Sequence, residues 1–288
     1  MKNVIITGSS KGFGYLAAKD FAKKGYKVWA TMRDSDTKNS AAKKELEDFS
    51  DSIRVEDMDV ADDISVTNCV EKIICEGKKI DVLINNAGIM YSGITEAFSV
   101  EQAHQQMNTN YYGIIRTTQA VLPSMRQAKS GLIINCSSQL GRVSFPFMGT
   151  YCATKFAVEA YSQTLRYELS PFGIEVTLLE PGPFSTNIIN SGAPENRTEI
   201  LDQYKTFKEV HNNMMTSFSQ LLESDERTNP QLVVDRYLEL AETDRGNRPA
   251  RLTVGMDWGA TKINDLTQPI QDSLIEEYQL DTVFAPNF

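Results

Sequence analysis

Residues 4–25 read VIITGSSKGFGYLAAKDFAKKG. The apolar run Val4–Ile6 leads into three glycines, Gly8, Gly12 and Gly14, and then into a helical pattern that stops at Gly25. Glycine is needed where a chain turns tightly and where backbone must come close to a pyrophosphate. A helix opening after such a turn aims its free N–H groups and the positive end of its dipole at the same point. A glycine-rich turn can also do no more than join a strand to a helix. Placed after the first strand of a βαβ series, it predicts a dinucleotide site. The spacing here is G-x-x-x-G-x-G, not the commoner G-x-G-x-x-G.

Working outward, the series is present. Short apolar, β-branched runs occur at Asn3–Ile6, Lys27–Met32, Ile53–Met58, Asp81–Ile84, Leu132–Cys136 and Ile174–Leu178. Several are almost continuously apolar, as strands covered on both faces of a parallel sheet must be. Helix-length segments lie between them, at about 12–24, 39–49, 62–76, 99–128 and 150–170; the last is broken by Pro171 and Gly173. This alternation predicts an α/β fold: a Rossmann-like, doubly wound parallel sheet with helices on both faces, in a single domain. A further strand is expected at 250–255. The catalytic domain is expected to span 1–255, and 256–288 reads as a polar tail, packed on that domain or partly extended.

Composition narrows the function. A net charge of −9 argues against a broad electrostatic grip on nucleic acid or anionic membrane. No apolar stretch is long enough for membrane insertion. Cys69, Cys75, Cys136 and Cys152 show no C-x-x-C pair, and there are only two histidines, so no metal site is expected. Scattered cysteines of this kind read as reduced, buried thiols of a cytoplasmic protein. The strand-like opening MKNVIITGSS leaves no room for a signal peptide. The acidic run EDMDVADD, residues 56–63, is better explained by helix capping and solvent-facing charge than by a metal.

The end of the second strand bears on the choice of dinucleotide. An acidic residue there holds the ribose 2′-hydroxyl of NAD, whereas an arginine accommodates a 2′-phosphate. Here the strand runs into Arg33, and Lys11 stands in the glycine turn. Two cations in an otherwise acidic chain favour NADP over NAD. Asp34, one place later, is the rival acidic ligand, and surface solvation of both cations is the plainer alternative.

The segment GTYCATKFAVEAYSQ, residues 149–163, puts Tyr151 and Lys155 one above the other on a helix. Ser138 lies just beyond the fifth strand, NNAG (85–88) at the end of the fourth, and Pro181, Gly182 and Thr186 at the end of the sixth. Ligands of such sheets bind beyond the carboxyl ends of the strands, so these residues share one side.

Together the motifs resemble the short-chain dehydrogenase/reductase family, in its single-domain branch. They are TGSSKGFG at 7–14, Asp59–Val60, NNAG, Asn110, Ser138, YCATK at 151–155 and PGPFST at 181–186, and they run from residue 1 to about 190. The resemblance implies an NADP-dependent oxidoreductase acting between alcohols and carbonyls. Its catalytic residues would be Asn110, Ser138, Tyr151 and Lys155. Its cofactor contacts would be Thr7, Gly8, Ser10, Lys11, Gly12, Phe13, Gly14, Arg33, Asp59, Val60, Asn85, Ala87, Gly88, Tyr151, Lys155, Pro181, Gly182, Phe184 and Thr186. Tyr151 would act as general acid or base, Ser138 would orient the substrate oxygen, and Asn110 would hold a water passing protons toward Lys155, with an amide repairing a helix irregularity as its other reading. A free phenol has a pKa of ~10, so work near neutrality needs a drop worth ~4 kcal/mol. A cation ~4 Å away at an effective dielectric of ~20 is worth about that much; Lys155 is expected to supply most of it, and the positive nicotinamide of the oxidised cofactor to add to it.

The family also implies that 184–230 is a substrate lid. Its Tyr204, Phe207, Met214, Met215 and Phe218, with Met90, Phe145, Phe147 and Met148, suggest a pocket for a bulky or apolar small-molecule carbonyl or alcohol; filling of the core is the competing explanation. Segments 99–128 and 150–170 carry apolar faces, and the resemblance implies pairing through them as a homodimer or homotetramer. The rival reading is a catalytically silent NADP-binding sensor or scaffold of the same fold.

Overall fold

A computed structural model describes residues 1–189 and 191–284; Asn190 of the expected lid and residues 285–288 of the expected tail lie outside them. Seven strands, β1 (Asn3–Thr7), β2 (Lys27–Met32), β3 (Ile53–Asp57), β4 (Val82–Asn85), β5 (Gly131–Cys136), β6 (Ile174–Pro181) and β7 (Arg251–Val254), form one sheet. Their order is β3-β2-β1-β4-β5-β6-β7, and every neighbouring pair is parallel. The direction of winding reverses between β1 and β4, which opens a crevice at their carboxyl ends.

The helices are α1 (Gly12–Lys23), α2 (Ser40–Phe49), α3 (Asp63–Gly77), α4 (Val100–Met107), α5 (Gly113–Ala128), α6 (Gly149–Leu169), α7 (Thr198–Leu201), α8 (Lys205–Ser224), α9 (Gln231–Glu242) and α10 (Ala260–Glu277). Side chains of β1 alternate between two cores, as a period of two requires. Val4 and Ile6 pack with α1 and α9; Ile5 packs with α3, α5 and the end of α6. Local chemistry sets the ends. Asp62 caps α3 by accepting from Ser65 N at 2.6 Å, and Ser99 and Gln102 form a reciprocal capping box on α4.

Three expectations change. The single helix expected over 99–128 is divided by a π-helical turn at Asn108–Tyr112. The tail is largely helix α10, held by Asn264, Thr267 and Gln268 bonding to residues of the sheet and its loops. Of the four cysteines, all free, Cys75 is exposed rather than buried. No helix among the described residues is long and apolar enough to cross a membrane.

Candidate active site

The glycine turn is closed by the strand beside it. Thr7 Oγ1 accepts from the backbone N–H groups of Asn86 and Ala87 at 3.0 and 2.9 Å. Asn86 Nδ2 returns a bond to Thr7 O at 2.8 Å. Gly8 has φ +70°, and a Cβ there would meet Ala87 Cα at 2.8 Å. A Cβ on Gly14 would lie 2.6 Å from both Asn86 Nδ2 and Gly8 O. These positions therefore require glycine on local grounds, and the turn keeps its backbone open at the start of α1. That is a cradle shaped for close approach of a phosphate.

Ser9 N donates to Thr31 O at 2.9 Å, drawing the turn against the end of β2, two residues before Arg33. Arg33 is exposed, with Nη1 3.9 Å from Asp59 Oδ2. Lys11 is exposed and, among the described residues, makes no ion pair.

At the ends of β4, β5 and β6 lies a cleft whose empty space, open mouth included, is about 770 Å³. Phe13, Gly88, Ser138, Tyr151, Lys155, Pro181, Gly182, Phe184 and Thr186 all line it. The sheet and α6 bring these together from positions far apart in sequence. Phe13 and Phe184 meet edge to face at 5.5 Å. Ser138, Tyr151 and Lys155 are buried. Lys155 Nζ donates to Cys136 O at 2.8 Å and sits 5.6 Å from the Tyr151 ring centre.

Burial dominates their electrostatics. Burial pushes the Tyr151 phenol well above its ordinary value, opposed by a hydrogen bond from Ser138. Burial likewise lowers Lys155, opposed by Cys136 and Glu159. The reason is desolvation: both charged forms lose water, and the ammonium is turned toward a neutral carbonyl.

Other expected residues serve the frame. Asn110 sits in the π turn, where its Oδ1 accepts from Ile89 N at 2.8 Å while Nδ2 donates to Ile89 O and Thr154 Oγ1 at 2.8 and 3.0 Å. The amide thus ties α6 to the loop after β4. The side chain of Asn85 is committed to Asn135, Thr117 and Thr118 inside the protein and does not line the cleft. Val60 packs in the core, and a Cβ on Gly113 would come within 3.0 Å of it.

Sequence reasoning passed over three side chains. Asn86 braces the turn, as above. Gln139 is buried and holds the loop before α10, donating to Met256 O and accepting from Trp258 N, each at 2.6 Å. Trp258 then stacks on Phe145 at 5.5 Å. A second, apolar hollow continues the cleft between Phe145, Met148, Met214, Phe218, Leu221 and Trp258. Nothing local in the sequence assigns Trp258 to this place. Among the described residues no His, Cys, Asp or Glu cluster could hold a metal ion.

The sequence model described as short chain dehydrogenase matches residues 2–197. The chain is 40% identical over 204 residues to a 3-ketodihydrosphingosine reductase of Bacteroides thetaiotaomicron, covering 71% of each. It is 32% identical to an uncharacterized oxidoreductase of Schizosaccharomyces pombe, covering 98% of this chain and 91% of that one. A crystal structure of a short-chain dehydrogenase from Streptomyces avermitilis superposes with a TM-score of 0.75 at 28% identity, covering 96% of both chains. Fold, glycine turn and family match coincide over the same two-thirds of the sequence: this chain belongs to the short-chain dehydrogenase family of oxidoreductases.

Proposed function

We propose that the protein is an NADP-dependent reductase of an apolar carbonyl compound, with Ser138, Tyr151 and Lys155 as its catalytic residues. The observation that carries this is their joint burial in one cleft, which runs on into an apolar hollow. The dinucleotide supplies a hydride to the carbonyl carbon when bound. The glycine turn fits its pyrophosphate, because side chains at Gly8 and Gly14 would collide with the frame. Lys11 and Arg33 are available to a ribose 2′-phosphate, both exposed and Arg33 held only loosely by Asp59. Asp59 and the remaining residues of the turn shape the adenosine end of the site.

The high pKa of Tyr151 suits reduction. It keeps the phenol protonated at neutral pH, and the alkoxide formed from a carbonyl is a stronger base than a phenolate. Ser138 donates to the substrate oxygen and holds it beside the phenol. The Lys155 ammonium stabilises the phenolate left after proton donation. Asn110 positions the loop after β4 and holds a water on the route toward Lys155.

Residues 184–230 act as the lid. Helix α8 supplies Met214, Phe218 and Leu221 to the apolar hollow, opposite Phe145 and Trp258. With so few polar groups there, a hydrocarbon portion of the substrate is favoured; the long-chain ketone named for the Bacteroides relative is of that type. The protein is proposed to act in the cytoplasm as a homodimer or homotetramer built on α4–α6.

The test mixes purified protein with NADPH or NADH and aldehydes and ketones of graded apolar length. Tyr151-dependent NADPH oxidation that improves with length is expected. Faster turnover with NADH would overturn the 2′-phosphate reading, and indifference to length would overturn the apolar one.

A further inference from the structure

One helical turn beyond Lys155, Glu159 is buried within α6, and Glu180, next to the cleft-lining Pro181, has no exposed surface at all. Both meet one guanidinium. Arg251 Nε lies 3.0 Å from Glu159 Oε2 and 3.4 Å from Glu180 Oε1. Its other N–H groups donate to Gln163 Oε1 at 2.5 Å and Gln268 Oε1 at 3.1 Å. Among the described residues Arg251 is the only cation in salt-bridge contact with either carboxylate.

The remaining groups facing the cluster are few. From the loop after β5, Arg142 reaches it through Asn264, whose Nδ2 donates to Glu180 Oε2 at 2.6 Å. Lys155 is on α6 and Cys136 ends β5; α10 contributes only the uncharged Asn264 and Gln268. A Cβ on Gly141 would lie 2.9 Å from both Glu159 Cγ and Ser137 Oγ, and 3.0 Å from Lys155 O. Glutamate, cleft-lining serine and catalytic helix thus surround one small space. Glu159 Oε1, Glu180 Oε1 and Ser137 Oγ are all buried without a hydrogen-bond partner.

Two carboxylates dividing one guanidinium in a dry interior cannot both stay ionised cheaply. A proton on one of them removes one charge. We propose that Glu159 and Glu180 share one proton at neutral pH, and that the charge left on Glu159 makes the pair positioning residues for the Lys155 ammonium. Burial raises both carboxyls, Glu180 to about 8, and Glu159 raises Lys155. The proposal rests on Lys155 acting in proton donation by Tyr151.

Two readouts test it, the first independent of catalysis. Infrared difference spectra of the wild-type protein across an alkaline titration should show a protonated carboxyl band that disappears on raising the pH. Glu180→Gln should lack it. The second readout is the pH profile of kcat/KM for NADPH-dependent reduction. Glu159→Gln should shift the alkaline limb down by about one pH unit, because Lys155 loses its anionic neighbour. Glu180→Gln, which leaves Glu159 ionised, should hold that limb at or above the wild-type position. Absence of the carboxyl band in the wild type overturns the shared proton, whether or not either variant folds or turns over. The band present with superimposable pH profiles overturns the link to Lys155. A protein that shows the band yet reduces no carbonyl keeps the shared proton and overturns the enzymatic reading beneath it.

Discussion

Lys155 Nζ is moored to the backbone carbonyl of Cys136, 2.8 Å away, so the end of β5 fixes the height of the ammonium beneath the Tyr151 ring. Strand and helix must keep their register for that bond to exist. Tyr151→Phe removes the proton donor and should lower kcat/KM by about 10²–10⁴-fold. Lys155→Met removes the charge while keeping the stem, and a loss of about a hundredfold or more is expected. Steady-state kinetics, with cofactor binding followed by fluorescence, separates lost chemistry from lost binding. Retention of activity within twofold by Tyr151→Phe would remove the tyrosine from the mechanism.

Gly14→Ala forces a methyl to within 2.6 Å of Asn86 Nδ2 and Gly8 O. Asn86 must then give up its bond to Thr7, and the turn must open. A stability loss of about 1–3 kcal/mol should accompany weaker dinucleotide binding, read by urea denaturation and by titration. Gly25→Ala is the control. Gly25 has φ +81° but nothing within 4 Å of its missing Cβ, so it should lose about 1–2 kcal/mol through backbone strain and bind the dinucleotide normally.

The contrast between these glycines explains what the sequence made legible. A tight turn leaves its mark in residue type, so Gly8 and Gly14 could be read with only their neighbours known. Parallel strands buried on both faces leave the same kind of mark, and the expected β2 coincides with Lys27–Met32. The π turn at Asn108–Tyr112 was legible only as a helix irregularity for the Asn110 amide to repair, because its cause is the pairing of Asn110 with Ile89 and Thr154, 21 and 44 residues away. Trp258 enters the cleft only because Gln139 holds its backbone across 119 residues. Helix α9 is a different case. Val233, Val234, Tyr237, Leu240 and Ala241 repeat at helical spacing and are all buried, a signal within reach of pattern reading that the expectations did not use. On α10 the same spacing of Leu266, Ile270 and Leu274 is solvent-exposed, so periodicity there announces a helix without telling which face is covered.

Arg33 and Lys11 should act on cofactor choice and little else. Arg33 is 61% exposed at its side chain and its only ionic contact among the described residues, with Asp59, is at 3.9 Å, so surface pairing contributes at most about 1 kcal/mol to folding. Arg33→Ala and Lys11→Ala should each raise KM for NADPH about tenfold, leave KM for NADH within twofold, and leave Tm unchanged. Each substitution removes one charge from the proposed 2′-phosphate subsite. Equal effects on both cofactors would move these cations away from the 2′ position.

His211 on α8 provides a pH test of the proposed lid. Its Nε2 is 2.9 Å from Ser92 Oγ, in the loop after β4, and its ring lies 5.2 Å from Phe147. Burial lowers its pKa below the ordinary 6.5, opposed by Glu195. A group whose folded pKa is depressed binds its proton more readily when released, so the contact is intact above about pH 6.5 and weakens as pH falls toward the folded value. Protection of the 205–224 amides, taken relative to intrinsic exchange at each pH, should therefore fall between about pH 7.5 and pH 5.5. His211→Phe keeps an aromatic ring without a titrating group, and should flatten that dependence while leaving exchange in β1–β6 unaltered. Ser92→Ala, which removes the hydroxyl, should loosen α8 already at neutral pH. Protection of α8 that is the same at both pH values in the wild type would detach His211 from the proposed lid and leave Met214, Met215 and Phe218 to hold α8 by apolar contact alone.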